Sequence, residues 1–350
     1  MGRPRKLVVE KYLTNEETAK LEGHWIDESF LKHPVVRENM DVYYKDENGE
    51  EHLLLKFRKN CISNDLVKTG WDSYKDLAKP SRGRGASAGP IDTTSQYWSK
   101  RVLTDTNKWS TGYMIKDGTE KSRMKVNNQV ASNPIGFYEE SKNFCKLPCR
   151  LTHFTRTNYD NYRNGLPFIQ RINHMFQKLI PDSYQKQLEQ ADKKPHLKIP
   201  ETCFSTITIN RNFRTALHRD AGDFKGGFGN LTVIERGKYH GGYTVFPQFG
   251  IGVDVRSNDF VAMDVHQWHS NTAIYETKED REFNEKMEPA FKDNPQVGTV
   301  GIYEKYTRLT FVCYLREKIV KCDDEIPEEY LKASGHGKII LKEVDEVDEV

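Results

Sequence analysis

Residues 204–220 read Phe-Ser-Thr-Ile-Thr-Ile-Asn-Arg-Asn-Phe-Arg-Thr-Ala-Leu-His-Arg-Asp. The opening run, rich in β-branched and aromatic residues, has the composition of a strand. The closing tripeptide sets His218 and Asp220 two apart. On extended backbone, residues i and i+2 point the same way, so an imidazole nitrogen and a carboxylate oxygen can face one point. Downstream, the apolar runs 231–234, 243–246, 251–255 and 260–265 follow at short intervals, with Gly, Pro, Asn and Asp between them. A charged, proline-containing insert at 277–296 interrupts the series, and a near-continuous apolar run resumes at 307–315. Short strands with turn residues between them predict an antiparallel sandwich or jelly roll.

A third ligand for the point marked by His218 and Asp220 can return from a later strand. Asp264-Val-His-Gln-Trp-His269-Ser-Asn offers two histidines, His266 and His269, which face opposite sides because they are three apart. Two imidazoles and one carboxylate on one face of a metal leave its other positions open, a donor set that suits iron(II) without excluding manganese or zinc. Arg308 is the one charge in the 307–315 run. A buried guanidinium requires an anionic partner. A carboxylate in bidentate contact serves best, whether it belongs to a protein acid or to a small oxoacid.

Working upstream, Phe168, Ile172, Met175, Phe176, Leu179 and Ile180 recur at helical spacing, with His174 on the outer side. Residues 80–90, Pro-Ser-Arg-Gly-Arg-Gly-Ala-Ser-Ala-Gly-Pro, carry loop chemistry. Residues 41–44 and 52–57 flank Asp-Glu-Asn-Gly and read as a hairpin. The expected organisation is an N-terminal extension over 1–165, with loops that can contact nucleic acid, a β core over 166–322, and an acidic tail over 323–350.

Hydrophobic residues make up 36% of the chain and charged residues 30%, which excludes a disordered polymer. No apolar run approaches the ~18 residues of a membrane helix, and MGRPRK at the start lacks the apolar stretch of a secretory signal. The net charge of +2 hides a split. Residues 323–350 hold ten acids and three bases, a net −7, which leaves +9 on residues 1–322 and suits a polyanionic partner. The six cysteines (Cys61, Cys145, Cys149, Cys203, Cys313 and Cys322) form no CxxC pair and are expected as reduced, buried thiols of an intracellular protein.

Three runs carry a family resemblance: Thr206 to Asp223, Gly229 to Pro247 and Asp264 to Asn271. Looser echoes lie at Arg-Gly-Ala-Ser-Ala-Gly (84–89), Ser-Asn-Pro-Ile-Gly (132–136) and Leu-Pro-Cys-Arg-Leu-Thr-His-Phe-Thr-Arg (147–156). Together they resemble the ten-eleven-translocation/J-binding-protein family of iron(II)- and 2-oxoglutarate-dependent oxygenases, which oxidise the 5-methyl group of 5-methylcytosine or thymine in nucleic acid. The resemblance implies a mainly β fold with flanking helices around a double-stranded β-helix core.

The same resemblance puts Fe(II) on His218, Asp220 and His269 as metal and catalytic residues, since His269-Ser-Asn fits the polar turn after the family's distal histidine better than His266 does. It puts 2-oxoglutarate on Arg308, with ascorbate as an additional reductant in some relatives. It puts the flipped base against Asp223 and Asn133. Arg316 stands where several members have a base-contacting histidine, a departure that bears on the choice of base.

Several expectations follow. A carboxylate at Asp223 accepts from the N4 amino group of cytosine, which favours 5-methylcytosine over thymine. The partner is double-stranded DNA with its target base flipped out, held by basic side chains such as Arg82 and Arg84. The protein is a monomer with no membrane association, nuclear if the source cell has a nucleus. Gly-Arg-Pro near the start resembles the core of an AT-hook. The competing readings are an oxygenase of the same fold acting on RNA, protein or a small molecule, a nucleic-acid reader without chemistry, and a β-sandwich interaction protein.

Overall fold

In the strand Thr307–Tyr314 alternate side chains go opposite ways, as a pleated backbone requires. Leu309, Phe311 and Cys313 enter a hydrophobic core, while Thr310, Val312 and Tyr314 line a cavity and Arg308 shares their face. The adjacent strand Thr206–Arg211 repeats the division, with Ile207 and Ile209 in the core and Thr208 and Asn210 on the cavity. The antiparallel register pairs Thr310 with Asn210 and Val312 with Thr208, which aligns the two cavity-facing rows.

This computed structural model describes residues 4–91, 94, 112–115, 123–140, 147–291 and 305–322, with backbone alone for 112–115 and 123–126. Two sheets face each other. In the larger, Thr206–Arg211, Thr307–Tyr314, Gly229–Arg236 and Phe260–Met263 lie side by side. In the smaller, Ile251–Val253, Thr244–Phe246 and Ser270–Asn271 are neighbours, and an antiparallel bridge between His218 and His269 continues that edge. The chain therefore alternates between sheets as it advances: 206–211 in the large one, 218 in the small one, 229–236 in the large one, 244–253 in the small one, 260–263 in the large one, 269–271 in the small one, and 307–314 back in the large one. That winding is a double-stranded β-helix, in a mainly β fold with flanking helices. One end of the space between the sheets is filled by Leu231, Val233, Phe246, Phe249, Ile251, Val253 and Val261. The other end opens as the cavity.

The outer face of the large sheet packs on helices. Leu166–Leu179 buries Phe168, Ile169, Ile172, Met175 and Phe176 at helical spacing, and the Phe168 ring meets Phe311 edge-on at 5.0 Å. Helix Asn64–Tyr74, capped by Ser63, approaches so closely at Gly70 that an added Cβ would stand 2.8 Å from Phe168. A further helix, Pro181–Ala191, follows directly. No helix among the described residues is long and apolar enough to cross a membrane.

Residues before 165 flank the core within the same sheet. The hairpin Met40–Lys45/Glu51–Arg58 pairs on Phe260–Met263, with Arg5–Val9 beyond it, and Val130–Tyr138 pairs on Thr206–Arg211 with Pro80–Ser81 beyond that. Arg5 and Lys6 of the AT-hook-like start are therefore strand residues, while residues 1–3 lie outside the described set. The acidic tail 323–350, Cys145 and residues 292–304, which overlap the end of the insert, also lie outside it. The first part of the insert forms helix Lys278–Asn284, opened by Thr277 and Asp280 bonding each other's backbone.

The cysteine expectation needs correction. Cys149 and Cys322 are disulfide-bonded, with Cα atoms 6.0 Å apart across 173 residues of sequence. No local spacing could announce this pair, because the fold alone brings the two ends together. Cys61, Cys203 and Cys313 are buried thiols.

Candidate active site

His218 and His269 face each other because their backbones exchange two hydrogen bonds of 3.0 Å each. The backbone N–H of Asp220 donates to Val265 O at 3.0 Å, which fixes the carboxylate two residues beyond His218. The Nδ1 of His218 lies 2.8 Å from Ala216 O and that of His269 lies 2.9 Å from Gln267 O. A carbonyl at that distance holds the proton on Nδ1 and leaves Nε2 as the lone-pair donor. Both Nε2 atoms aim at the Asp220 carboxylate, at 3.6 Å for His218 and 3.8 Å for His269, and the three donor atoms lie within 4.8 Å of one another. Burial, aided by the neighbouring His218, lowers the His269 imidazole to about 4, so it stays neutral. This donor set can hold a divalent metal. His266 goes elsewhere: it sits in the turn between Phe260–Met263 and Ser270–Asn271, and its Nε2 lies 3.3 Å from Phe224 O.

The three residues line one end of a cavity of about 400 Å³, a size suited to a small ligand or a nucleobase. Its walls include Arg84, Thr208, Asn210, Asp223, Tyr314 and Arg316. Behind Thr310 on the same strand face lies Arg308, 1% exposed. Its backbone N–H donates to Asn212 Oδ1 at 2.7 Å and its Nη2 donates to Gly242 O at 3.1 Å. Its Nε has no hydrogen-bond partner, and no acid among the described residues pairs with it. The protein-acid alternative for this guanidinium therefore finds no partner among the described residues.

The base-reading candidates scatter. Asp223 lines the cavity and is buried, with Oδ2 lacking any hydrogen bond. Burial, and then the charge of Asp220, pushes its carboxyl well above the usual carboxylate range. Arg316 also lines the cavity, but its guanidinium is gripped by both carboxylate oxygens of Glu139, Nη2 to Oε1 at 2.7 Å. Asn133 is not brought to the cavity. It pairs with Ile209, whose side chain enters the core, and its Nδ2 donates to Lys79 O at 2.6 Å.

Composition alone did not single out Thr208, Asn210, Thr310, Tyr314 or Asn271. The usable signal was polar residues at every second place in otherwise apolar strands. The Gly-rich loop contributes its second arginine to the wall: Arg84 Nη1 donates to Thr208 Oγ1 at 3.4 Å, and that hydroxyl is 3.1 Å from Tyr314 OH. The loop is docked, since Ala216 N–H donates to Ser87 O at 2.9 Å and the Asn128 amide donates to Ala88, Gly89 and Pro90 carbonyls.

The chain is similar to several characterised proteins. It is 32% identical over 162 residues to a bifunctional helicase and thymine dioxygenase JBP2 of Trypanosoma cruzi, covering 45% of this chain and 15% of that protein. It is 32% identical over 185 residues to thymine dioxygenase JBP1-B of the same organism, covering 53% and 19%. The chain thus matches only about a fifth, or less, of these relatives' length. A solved structure of NgTET1 in complex with 5mC DNA superposes with a TM-score of 0.46 at 12% identity, over 87% of this chain and 89% of that one. The model of one family matches residues 133–317, more than half of the chain. The chain belongs to that family, Tet_JBP, the oxygenase domain of the 2OGFeDO superfamily.

Proposed function

We propose that this protein is an iron(II)- and 2-oxoglutarate-dependent dioxygenase that oxidises the 5-methyl group of a pyrimidine base in double-stranded DNA. One observation carries the reading: two imidazoles and a carboxylate converge at the end of a cavity, and a buried guanidinium with no acid partner among the described residues lies behind it. The donor set suits iron(II). The free Nε of Arg308 and its face toward the cavity suit the distal carboxylate of 2-oxoglutarate, which would supply the missing anion. Fe(II) would sit on His218, Asp220 and His269, with ascorbate as an auxiliary reductant.

Iron with 2-oxoglutarate supplies the power to insert one oxygen atom of dioxygen into a C–H bond, with decarboxylation of the oxoacid. This chain's own residues do the rest. The carbonyls of Ala216 and Gln267 keep both metal-facing nitrogens unprotonated. Thr208, Asn210 and Tyr314 shape the cavity wall. A methyl group inside a duplex is out of reach, so the base must leave the stack, at a cost of a few kcal/mol. Asp223 and Arg316, at the cavity wall, are positioned for its polar edge, and Tyr314 offers a ring. Arg82 and Arg84 are candidates for the DNA backbone. The protein acts as a monomer within the cell.

The primary reading takes 5-methylcytosine as substrate and 5-hydroxymethylcytosine as product, on the carboxyl acceptor that Asp223 offers to the N4 amino group; the protonated carboxyl that its burial favours would also donate to O4 of thymine. The second takes thymine, favoured by the similarity to the trypanosomal thymine dioxygenases. Mass spectrometry of nucleosides, after incubation with DNA containing each base, Fe(II), 2-oxoglutarate and oxygen, separates them. A hydroxymethyl product absent from a His218→Ala/Asp220→Ala control is expected. Iron-bound protein with no product on either base would overturn the proposal and turn attention to RNA, protein or small-molecule substrates.

A further inference from the structure

We infer that Asn271 is a positioning residue that sets the Arg308 guanidinium toward the cavity, and so governs the uptake of 2-oxoglutarate; this rests on the cosubstrate reading above. Asn271 stands two residues beyond His269 and lines the cavity. Its Oδ1 accepts from Thr215 Oγ1 at 2.6 Å, and its backbone N–H donates to Thr215 O at 3.0 Å. Its Nδ2 lies 3.3 Å from Thr244 Oγ1 and 3.4 Å from both Gly242 O and Tyr243 O. The orientation of the amide is determined by chemistry: two of those neighbours are carbonyls that can only accept, so the nitrogen must face them.

The Gly242 carbonyl is the link. It is the acceptor shared by Asn271 Nδ2 and by Arg308 Nη2, the latter at 3.1 Å. Gly242 has φ +69°, and a Cβ there would stand 3.3 Å from Arg308 Nε, so the backbone meets the guanidinium with no side chain between them. Asn271 thereby joins three parts of the site: the His218 segment through Thr215, the His269 strand that carries it, and the carbonyl that orients Arg308. Arg308 does not itself line the cavity, whereas Thr244, Asn271 and Thr310 do. An oxoacid chelated at the metal must extend past these residues to meet the guanidinium, and the direction of Arg308 then decides how well it is held. A glutamine or leucine in place of Asn271 would keep the strand pairing with Thr244 but lose this junction.

The test is calorimetric titration of 2-oxoglutarate, under anaerobic conditions with Mn(II) in place of Fe(II), into the full chain and into Asn271→Ala, Asn271→Ser and Thr215→Val. Mn(II) affinity and the melting midpoint are measured on the same samples. Asn271→Ala is expected to weaken 2-oxoglutarate binding by about tenfold, the net worth of one to two hydrogen bonds. Asn271→Ser, which keeps a short donor, should weaken it less, and Thr215→Val should weaken it by about threefold. Metal affinity should stay within about twofold of the parent, since the side chains of Asn271 and Thr215 hydrogen-bond none of the three metal-facing side chains. Equal 2-oxoglutarate affinity in Asn271→Ala and the parent would overturn the positioning role alone. A matched loss of metal and oxoacid binding, or a collapse of the melting midpoint in all three variants, would overturn it too, by assigning Asn271 to general integrity of the site. Absence of 2-oxoglutarate binding in the parent would remove the cosubstrate reading itself, an outcome distinct from the others.

Discussion

Two parts of the cavity, the floor (the end formed by His218, Asp220 and His269) and the rim (the wall formed by Arg84, Thr208, Asp223, Tyr314 and Arg316), are held by different means. At the floor, His218 and His269 are joined backbone to backbone, each ring leans on a carbonyl two residues earlier in the chain, and the Asp220 N–H is tied to Val265. At the rim, side chains hold side chains: Glu139 grips Arg316, Thr208 meets Tyr314, and Arg84 reaches Thr208. Main-chain bonds survive substitution of the residues around them, whereas a rim of paired side chains changes whenever one member changes. On the proposed function, the floor would carry the chemistry and the rim the choice of base, and single substitutions would alter the rim first.

Arg308→Met removes the guanidinium that lies behind the cavity and should have the largest effect. The KM for 2-oxoglutarate is expected to rise about 100-fold, the loss of one or two charge-assisted hydrogen bonds. The apo protein should melt no lower, because the substitution removes a buried charge that lacks an acid partner among the described residues. A lower melting midpoint with unchanged KM would make Arg308 a structural residue. Asp223→Asn moves the contest to the rim. An amide presents donors as well as an acceptor, so the ratio of kcat/KM on 5-methylcytosine and thymine oligonucleotides should shift by about tenfold, while oxoacid binding does not move. An unchanged ratio would take base selection away from Asp223.

Glu139→Gln releases Arg316 from its ion pair. The KM for DNA should change by about threefold to fivefold with the KM for 2-oxoglutarate unchanged, as for a partly exposed pair; equal changes in both would erase the boundary between floor and rim. His266→Ala should alter turnover by less than about twofold, because its ring bonds only the Phe224 carbonyl and faces away from the cavity. A large loss there would reopen the choice of third ligand.

The floor was legible in the sequence for a simple reason. His218 and Asp220 are set by period-two spacing within one segment, and Arg308 stands out as a charge in an apolar strand. Both are local signals. The choice of His269 over His266 needed either the family resemblance or the fold, since spacing only says that the two face opposite sides. The rim was less legible because its members come from pairings that no local pattern fixes. Asn133 lies within a recognisable motif, yet the register of Val130–Tyr138 against Thr206–Arg211 sets it opposite Ile209 and turns it out of the cavity. Glu139 and the Cys149–Cys322 bond depend on partners 177 and 173 residues away. The winding of strands between two sheets was predictable as a class from the turn-punctuated apolar runs. The addition of Arg5–Val9 and Val130–Tyr138 to opposite flanks of the same sheet was not, because edge pairing is decided by tertiary contact.

The most direct test measures succinate and the hydroxymethylated base in the same reaction, using methylated DNA with Fe(II), 2-oxoglutarate and oxygen. The account predicts that one succinate accompanies each oxidised base, and that both disappear together in His218→Ala/Asp220→Ala. Base oxidation that proceeds without succinate, or that survives in the double variant, would contradict it.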